Sequence, residues 1–397
     1  MFSIVKKIGS LIPYRFIYNS RLVRENLERK GKVVSLDKAE DFLSQAPAVL
    51  NSTLQGCNLR VGIVPSKSYF LGGYYRPTSS FLSYLRFCRN NDISYEVYNI
   101  YQSDWLQKAE SFDVIFWHVQ SNPCDLSIAR HRIYILDVLL KKHCFPSFHE
   151  IWQYEDKMKS NDLFDLFDIP HVKSFVSNDF GETLEYVDTV KYPLVAKTKT
   201  GASSSGVIKI NDKGSAKKYV RQVFSKAGRK SIFPYYRDKN YVLFQEFVPD
   251  AEYDLRIMLV GNKAFGYYRY PRKGSFKASG SGIYRKKAIP TEALRIAIKT
   301  RNRLGLRLSG VDMLYSKARS EYLVIEASLF NQIDSPVQLE IEGVPGYYDI
   351  SDVENITFVP GKFWIHELVC EEILLNCLSD AYKKQGTSAS QSVCYSK

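Results

Sequence analysis

From residue 59 onward, apolar positions recur at two spacings that alternate along the chain. NLRVGIVPS (58–66) is a short apolar run that stops at Pro65, and SSFLSYLRFCRNN (79–91) repeats its apolar residues at helical spacing. ISYEVYNI (93–100) alternates like a strand, SFDVIFWHVQ (111–120) is continuously apolar, and SIARHRIYILDVLLKKH (127–143) again has helical spacing. Strands and helices in this alternation predict a mostly parallel sheet with helical crossovers. Beyond about residue 150 the rhythm changes. YPLVAKTKTGASSSGVIKI (192–210) reads as strand, small-residue loop and strand, followed by a helix and the strand YVLFQEFV (241–248). YDLRIMLVG (253–261) and KAFGYYRYP (263–271) follow as antiparallel strands, and TEALRIAIKTRNRLG (291–305) is the next helix. SGVDMLYS (309–316) and SEYLVIEAS (320–328) form a further strand pair. WIHELVCEEILLNCLSDAY (364–382) is a last helix before a polar tail, expected to fray.

Composition narrows the partners only a little. The 397 residues are 45% hydrophobic and 24% charged, ordinary for a globular chain of two or three units. Lys and Arg number 55 against 42 Asp and Glu, a formal charge of +13, which favours an anionic partner. The basic residues are spread rather than gathered in one tail, which argues against nucleic acid. Seven cysteines without a close CxxC pair, and six scattered histidines, argue against zinc and fit small core residues in a reducing, cytoplasmic setting. No run approaches the ~20 apolar residues that span a bilayer. The N-terminal stretch mixes basic and apolar residues without a signal-like block. It reads as a helical extension, with weak peripheral membrane contact as the alternative.

The chemistry concentrates where the rhythm changes. Lys197 sits inside an apolar strand, where an ammonium costs desolvation unless an anion compensates it. The loop after it, Gly201 to Gly206 with Ser203, Ser204 and Ser205, has almost no side chains, so several backbone N–H groups can approach phosphate oxygens. Lysine and loop together read as a phosphate grip; an exposed hairpin with a lysine on its wet face is the other reading. The loop is not a Walker A motif, because the lysine precedes it. Asp312 in GVDML and Glu326 in LVIEAS each interrupt apolar strand text. On neighbouring strands they could share a hard cation, or be strand-end carboxylates in salt bridges. Arg256 lies two residues from Asp254, so the two share a strand face, and Arg269 lies on the next strand. Both guanidinium forks suit phosphate or carboxylate oxygens. SFKASGSGIYRK (275–286) adds Lys277 and Ser281 in a loop rich in backbone donors, suited to a developing negative charge or simply a flexible turn. SKSYFLGGYYRPTSS (66–80), after the first strand, is a candidate acceptor loop.

In order and spacing, DKMKSNDLFDLFDIPHVKSF (156–175), YPLVAKTKTGASSSGV, LFQEFVPDAEYDLRIMLVGNKAFGYYR (243–269), FKASGSG, LSGVDMLYS and LVIEAS resemble the ATP-grasp superfamily. Within it they are most similar to ribosomal-protein glutamate ligases and related carboxylate–amine ligases. The resemblance implies an α/β architecture, with a parallel-sheet pre-grasp domain followed by two α+β subdomains that clasp ATP. On this chain that would give an N-terminal helical extension over 1–58 and a pre-grasp domain over 59–150. A lid and first nucleotide subdomain over 151–250, a metal and catalytic subdomain over 251–382, and a tail over 383–397 would follow.

The same resemblance makes Lys157 and Lys197 nucleotide lysines, Gly201–Gly206 the loop over the phosphates, and Glu246, Phe247 and Val248 the adenine-flanking strand. It gives Arg256 and Arg269 contacts to phosphate or acyl phosphate, with Ser281 and Lys277 beside them. Asp312 and Glu326 would hold Mg2+ or Mn2+. Where the family has Asn two residues after the glutamate, this chain has Ser328, so Ser328 or Asn331 would complete the site. The implied reaction joins a small carboxylate to an amine through an acyl phosphate, with amino acids, peptides or sugar acids as candidate substrates. Bacterial surface-polysaccharide or small-peptide synthesis would be a setting for it, and a homo-oligomer its form. A phosphotransferase on the same fold, or an ATP-binding regulator without turnover, are the competing readings.

Overall fold

The computed structural model describes residues 36–65, 79–201, 206–233 and 235–391. The candidate acceptor loop up to Thr78 and Ser203, Ser204 and Ser205 therefore lie outside the described residues, as does most of the N-terminal extension.

Ahead of residue 150 the predicted alternation forms a four-stranded parallel sheet. Its strands are β1 (Arg60–Val64), β2 (Ser94–Val97), β3 (Val114–Trp117) and β4 (His143–Phe145), in the order β2-β1-β3-β4. All four residues of β3 and the last four of β1 are buried, as strands covered on both faces must be. The helix Pro123–Ile133 begins where Asn122 accepts a hydrogen bond from Asp125 N, with proline in its first turn, where no N–H is needed. It continues as a π-helical stretch to Leu139. Cys88 and Cys144 are buried as expected, but Cys124 is exposed because it lies in the first turn of that helix, away from the core.

The next sheet contains β5 (Ser174–Ser177), β6 (Leu194–Lys197), β7 (Val207–Ile210) and, beyond a short hairpin of β8 (Arg229–Lys230) and β9 (Arg237–Asp238), β10 (Val242–Glu246). Its order is β5-β10-β6-β7, all antiparallel. Leu194 and Ala196 pack with Val187, Ala216 and Val220 of the helices Phe180–Thr189 and Lys213–Val223. The two-residue period of a strand therefore turns Val195 and Lys197 to the opposite face.

The largest sheet joins β11 (Asp254–Val260), β12 (Lys263–Arg269), β13 (Tyr284–Arg285), β14 (Leu308–Ser316), β15 (Glu321–Ser328), β16 (Glu340–Ile341), β17 (Val344–Asp349) and β18 (Thr357–Pro360). Its path is β15-β14-β11-β12-β17-β16, with β13 on β12 and β18 on β17. Leu255, Ile257 and Leu259 of β11 pack with Leu294, Ala297 and Ile298 of the helix Thr291–Leu304. That helix stops at Gly305, in the left-handed region at φ +61°. The other face of β11 is divided. Met258 and Val260 join the core built with Ile365, Leu368 and Val369 of the last helix, whereas Asp254 and Arg256 are charged. One end of the strand face thus belongs to the core and the other to a site. The last helix spans Ile365–Gln391, past residue 382, where the sequence suggested a frayed tail. No proline interrupts KKQGTSASQ, so nothing in it removes a helical N–H.

Candidate active site

The charged end of the large sheet is set by register. Arg256 of β11 lies opposite Asp312 of β14, which lies opposite Glu326 of β15, so all three share one face. Asp254 pairs in the same way with Arg269 of β12. Arg256 grips Asp312 with both prongs of its fork, Nε to Oδ1 and Nη2 to Oδ2, each at 2.7 Å. Arg269 Nη2 stands 2.6 Å from Asp312 Oδ2 and also donates to Asp254 Oδ2. Asp254, Asp312 and Arg269 are each about 3% exposed, so this is a buried network of alternating charge. Burial would raise the pKa of Asp312, but Arg256 and Arg269 outweigh it and hold the carboxyl well below its ordinary range. Asp254 is pushed up by burial, offset in part by Arg269 and reinforced by Asp312.

Two lysines arrive from the other lobe. Lys157 opens the helix Lys157–Leu166, which Asp156 caps by accepting from Lys159 N. Its ammonium donates to Gly201 O at 2.8 Å and lies 3.4 Å from Glu326 Oε1. Burial disfavours the charge on Lys157, yet Glu326 and Glu155 overcome this and raise its pKa. Lys197 ends β6 with its ammonium 3.4 Å from Ile325 O. Burial lowers its pKa to about 8, only partly offset by Glu326. Glu155, absent from the sequence-derived set, accepts from Gly201 N at 3.3 Å, with its backbone in the left-handed region at φ +56°. Nothing in the polar run YEDK marks it; the fold brings it to the loop. Glu155, Asp254, Asp312 and Glu326 thus balance Lys157, Lys197, Arg256 and Arg269.

The remaining predicted residues spread along the cleft. Gly206 O accepts from Thr198 N, and a Cβ at Gly206 would stand 1.8 Å from Thr198 Oγ1, so glycine is required where the loop rejoins β7. Glu246 is half-buried and forms an ion pair with Arg319. Val248 is buried with Val172 and Leu323. The Phe247 ring has the Lys209 ammonium 3.7 Å from its centroid and the edge of Phe276 at 5.9 Å. Phe276 belongs to the loop that carries Lys277 and Ser281, so that loop closes onto the strand expected to flank adenine. Ser281 is buried and its hydroxyl accepts from Ile283 N within the loop. The Ser328 hydroxyl donates to Phe330 O at 3.0 Å. His118, just past the end of β3, packs on Phe330 and His366.

The donor set is hard and all-oxygen. Among the described residues no cage of three or more Asp, Glu, His or Cys ligands forms. Asp312 and Glu326 on facing positions nevertheless suit magnesium, which is ordinarily held by one or two carboxylates plus phosphate and water. Four cations around those carboxylates suit the phosphates that would complete the shell.

Residues 154–342 match the family model of the RimK-like ATP-grasp domain. Over that stretch the chain is similar to ATP-grasp domains. The chain is 27% identical over 286 residues to the alpha-aminoadipate–LysW ligase LysX of Saccharolobus solfataricus, covering 69% of this chain and 92% of that protein. It is also 27% identical over 172 residues to a probable alpha-L-glutamate ligase of Serratia proteamaculans. That match covers 42% of this chain and 52% of the relative, so the chain spans about half of that relative's length. Its fold is that of D-alanine–D-alanine ligase from Bacillus anthracis, with a TM-score of 0.52 at 13% identity over 81% of this chain and 99% of that one. Its matched stretch is similar to alpha-L-glutamate ligases of the RimK-like ATP-grasp type.

Proposed function

We propose that the chain is an ATP-dependent ligase that activates a carboxylate as an acyl phosphate and joins it to an amine, with an acidic α-amino acid as one of the partners. The observation that carries this reading is the position of Lys157. From one helix start it meets Gly201 of the small-residue loop and Glu326 of the acidic pair, so both halves of the cleft converge on one point. ATP supplies the phosphoryl group, and magnesium, when bound, neutralises charge on its oxygens. The chain's own residues do the rest. Lys157 and Lys197 hold phosphate oxygens, and Asp312 and Glu326 hold the cation. Arg256 and Arg269 offer guanidinium donors to the carboxylate and to the oxyanion of amide formation. Arg269 Nε is buried without a hydrogen-bond partner, a donor available to an anion. The acidic amino acid is supported by the names of the relatives, which act on glutamate and alpha-aminoadipate, and by the chain's net positive charge.

The test is a turnover assay with MgATP, pooled carboxylates and pooled amines that include glutamate and its homologues. ADP and phosphate are followed together, with mass detection of products. Release of both with a new condensed mass is expected. A phosphorylated product that retains the phosphate would replace the ligase reading with a kinase.

A further inference from the structure

The stretch that leads from Lys197 into the small-residue loop is gripped from both sides. Lys199 lies just beyond β6, which ends at Lys197. Its carbonyl accepts from Lys157 N at 3.0 Å, and its ammonium lies 3.1 Å from Asp156 Oδ2. Asp156 caps the helix that Lys157 opens, so Lys199 meets the start of that helix twice. On its other side, Lys199 N donates to the Tyr241 hydroxyl at 2.8 Å. That hydroxyl in turn donates to Asp238 Oδ1 at 2.6 Å.

Asp238 and Tyr241 are fixed by the four-stranded antiparallel sheet and its hairpin. Asp238 ends β9 and pairs with Arg229 of β8, and Tyr241 directly precedes β10. Arg229 Nη1 stands 3.4 Å from Asp238 Oδ2, and its guanidinium lies 5.4 Å from the ring centroid of Tyr219, a residue of the core beneath that sheet. Asp238 is 1% exposed and Tyr241 5%. Burial pushes the Asp238 carboxyl up, and Tyr241 and Arg229 offset part of that. A carboxylate so enclosed is costly unless its oxygens are paired, and here each oxygen has a partner. A phenol that donates to a carboxylate is also a better acceptor, because hydrogen bonds in a chain polarise one another. The charge of Asp238 therefore acts through the phenol on the Lys199 amide. From Lys199 the order passes to Lys157, whose ammonium meets Gly201 O and Glu326.

We propose that Asp238 and Tyr241 are positioning residues of the phosphate site, holding the entry of the small-residue loop, through Lys199, against the helix that aims Lys157. The inference rests on the nucleotide reading above and deepens it. It also gives the β8–β9 hairpin a role, since the hairpin supplies both the carboxylate and the arginine that steadies it.

The test compares two ligands that share adenosine and differ in phosphate. Equilibrium dialysis of the full chain against MgADP and against adenosine gives both affinities. Tyr241→Phe keeps the ring and removes the hydroxyl. It is expected to weaken MgADP binding about three- to tenfold, the effect of one uncharged hydrogen bond, and to leave adenosine binding unchanged. Asp238→Asn keeps an acceptor for the phenol and loses the charge, so its MgADP affinity should fall between those of wild type and Tyr241→Phe. The double variant should bind MgADP no more weakly than Tyr241→Phe alone, because Asp238 acts through the hydroxyl. Unchanged MgADP affinity in Tyr241→Phe, equal losses for MgADP and adenosine, or additive losses in the double variant would each overturn the assignment of the pair. No MgADP binding by the wild-type chain overturns the nucleotide reading on which it stands.

Discussion

Lys197 is held as a cation at a cost: burial lowers its pKa to about 8, and only Glu326 and neighbouring carboxylates keep the charge in place. A phosphate would complete that compensation. Lys197→Met is therefore expected to weaken ADP binding by about tenfold to a hundredfold, the loss of one charge-assisted hydrogen bond of roughly 1.5–3 kcal/mol. Calorimetric titration checks it, and an unchanged affinity removes Lys197 from the nucleotide site. Glu326→Gln keeps the shape of β15 and removes a charge, so ADP should still bind while magnesium-dependent turnover collapses. Normal turnover in that variant would take Glu326 out of the cation site. Of the two readings of the acidic pair drawn from the sequence, the structure holds the ion pairs, of Asp312 with Arg256 and Arg269 and of Glu326 with Lys157, while the shared cation belongs to the proposal. These residues were legible because a charge inside apolar strand text has to be compensated. Glu155 was not, because a loop residue carries no period and only the fold decides what it meets.

At the scale of elements, the strands that present the site are also those that build the core, and their anchoring can be tested apart from chemistry. Arg307, just before β14, donates to Glu150 Oε2 at 2.5 Å through Nη2 and to Cys144 O of β4. Glu150 is fully buried and caps its own helix by accepting from Ser147 N. Burial opposes its charge, yet Arg307 and the Ser147 contact hold its pKa below the ordinary value. Arg307→Met leaves that carboxylate buried without its cation, which costs about 3–5 kcal/mol. Denaturant unfolding near neutral pH measures the loss; a change under about 1 kcal/mol would mean that Glu150 finds another partner or water. The strands β1 to β3, β6, β7, β10 to β12, β14 and β15 could be read from period and burial, whereas β4 fell at the end of an expected helix and β13 in an expected loop. The segment from β16 to β18 could not. β16 has two residues, β17 begins with Val-Pro-Gly, and β18 ends at a proline, so pairing rather than local preference makes them strands, β17 on β12 and both β16 and β18 on β17.

Across the whole molecule, the C-terminal helix joins the parallel-sheet unit to the large sheet, and His366 lies at that junction. Its imidazole is 4% exposed, with its ring centroid 6.2 Å from both His118 and Tyr84. The adjacent Glu367 pairs with Arg86, and Cys370 lies one turn further along the buried side of the helix. Burial, reinforced by His118, lowers the pKa of His366 from 6.5 to about 3. In the unfolded chain this histidine binds a proton below about pH 6.5, whereas in the folded chain it stays neutral until about pH 3. Its contribution is therefore complete above pH 6.5 and is lost progressively as the pH falls through that window, by at most about 1.4 kcal/mol per pH unit. His366→Phe keeps an aromatic ring beside Tyr84 and removes the titration. Unfolding free energy measured from pH 7.5 to 4.5 is expected to fall less steeply in the variant than in the wild-type chain, by up to one proton. Parallel slopes would show that His366 is protonated in the folded state too, with a counter-charge or water reaching it. Because this helix underlies both Met258 of β11 and Phe81 and Phe87 of the first unit, the acid transition should carry the two units together. Tryptophan fluorescence would follow both at once, with Trp117 reporting on the parallel sheet and Trp364 on the start of the helix.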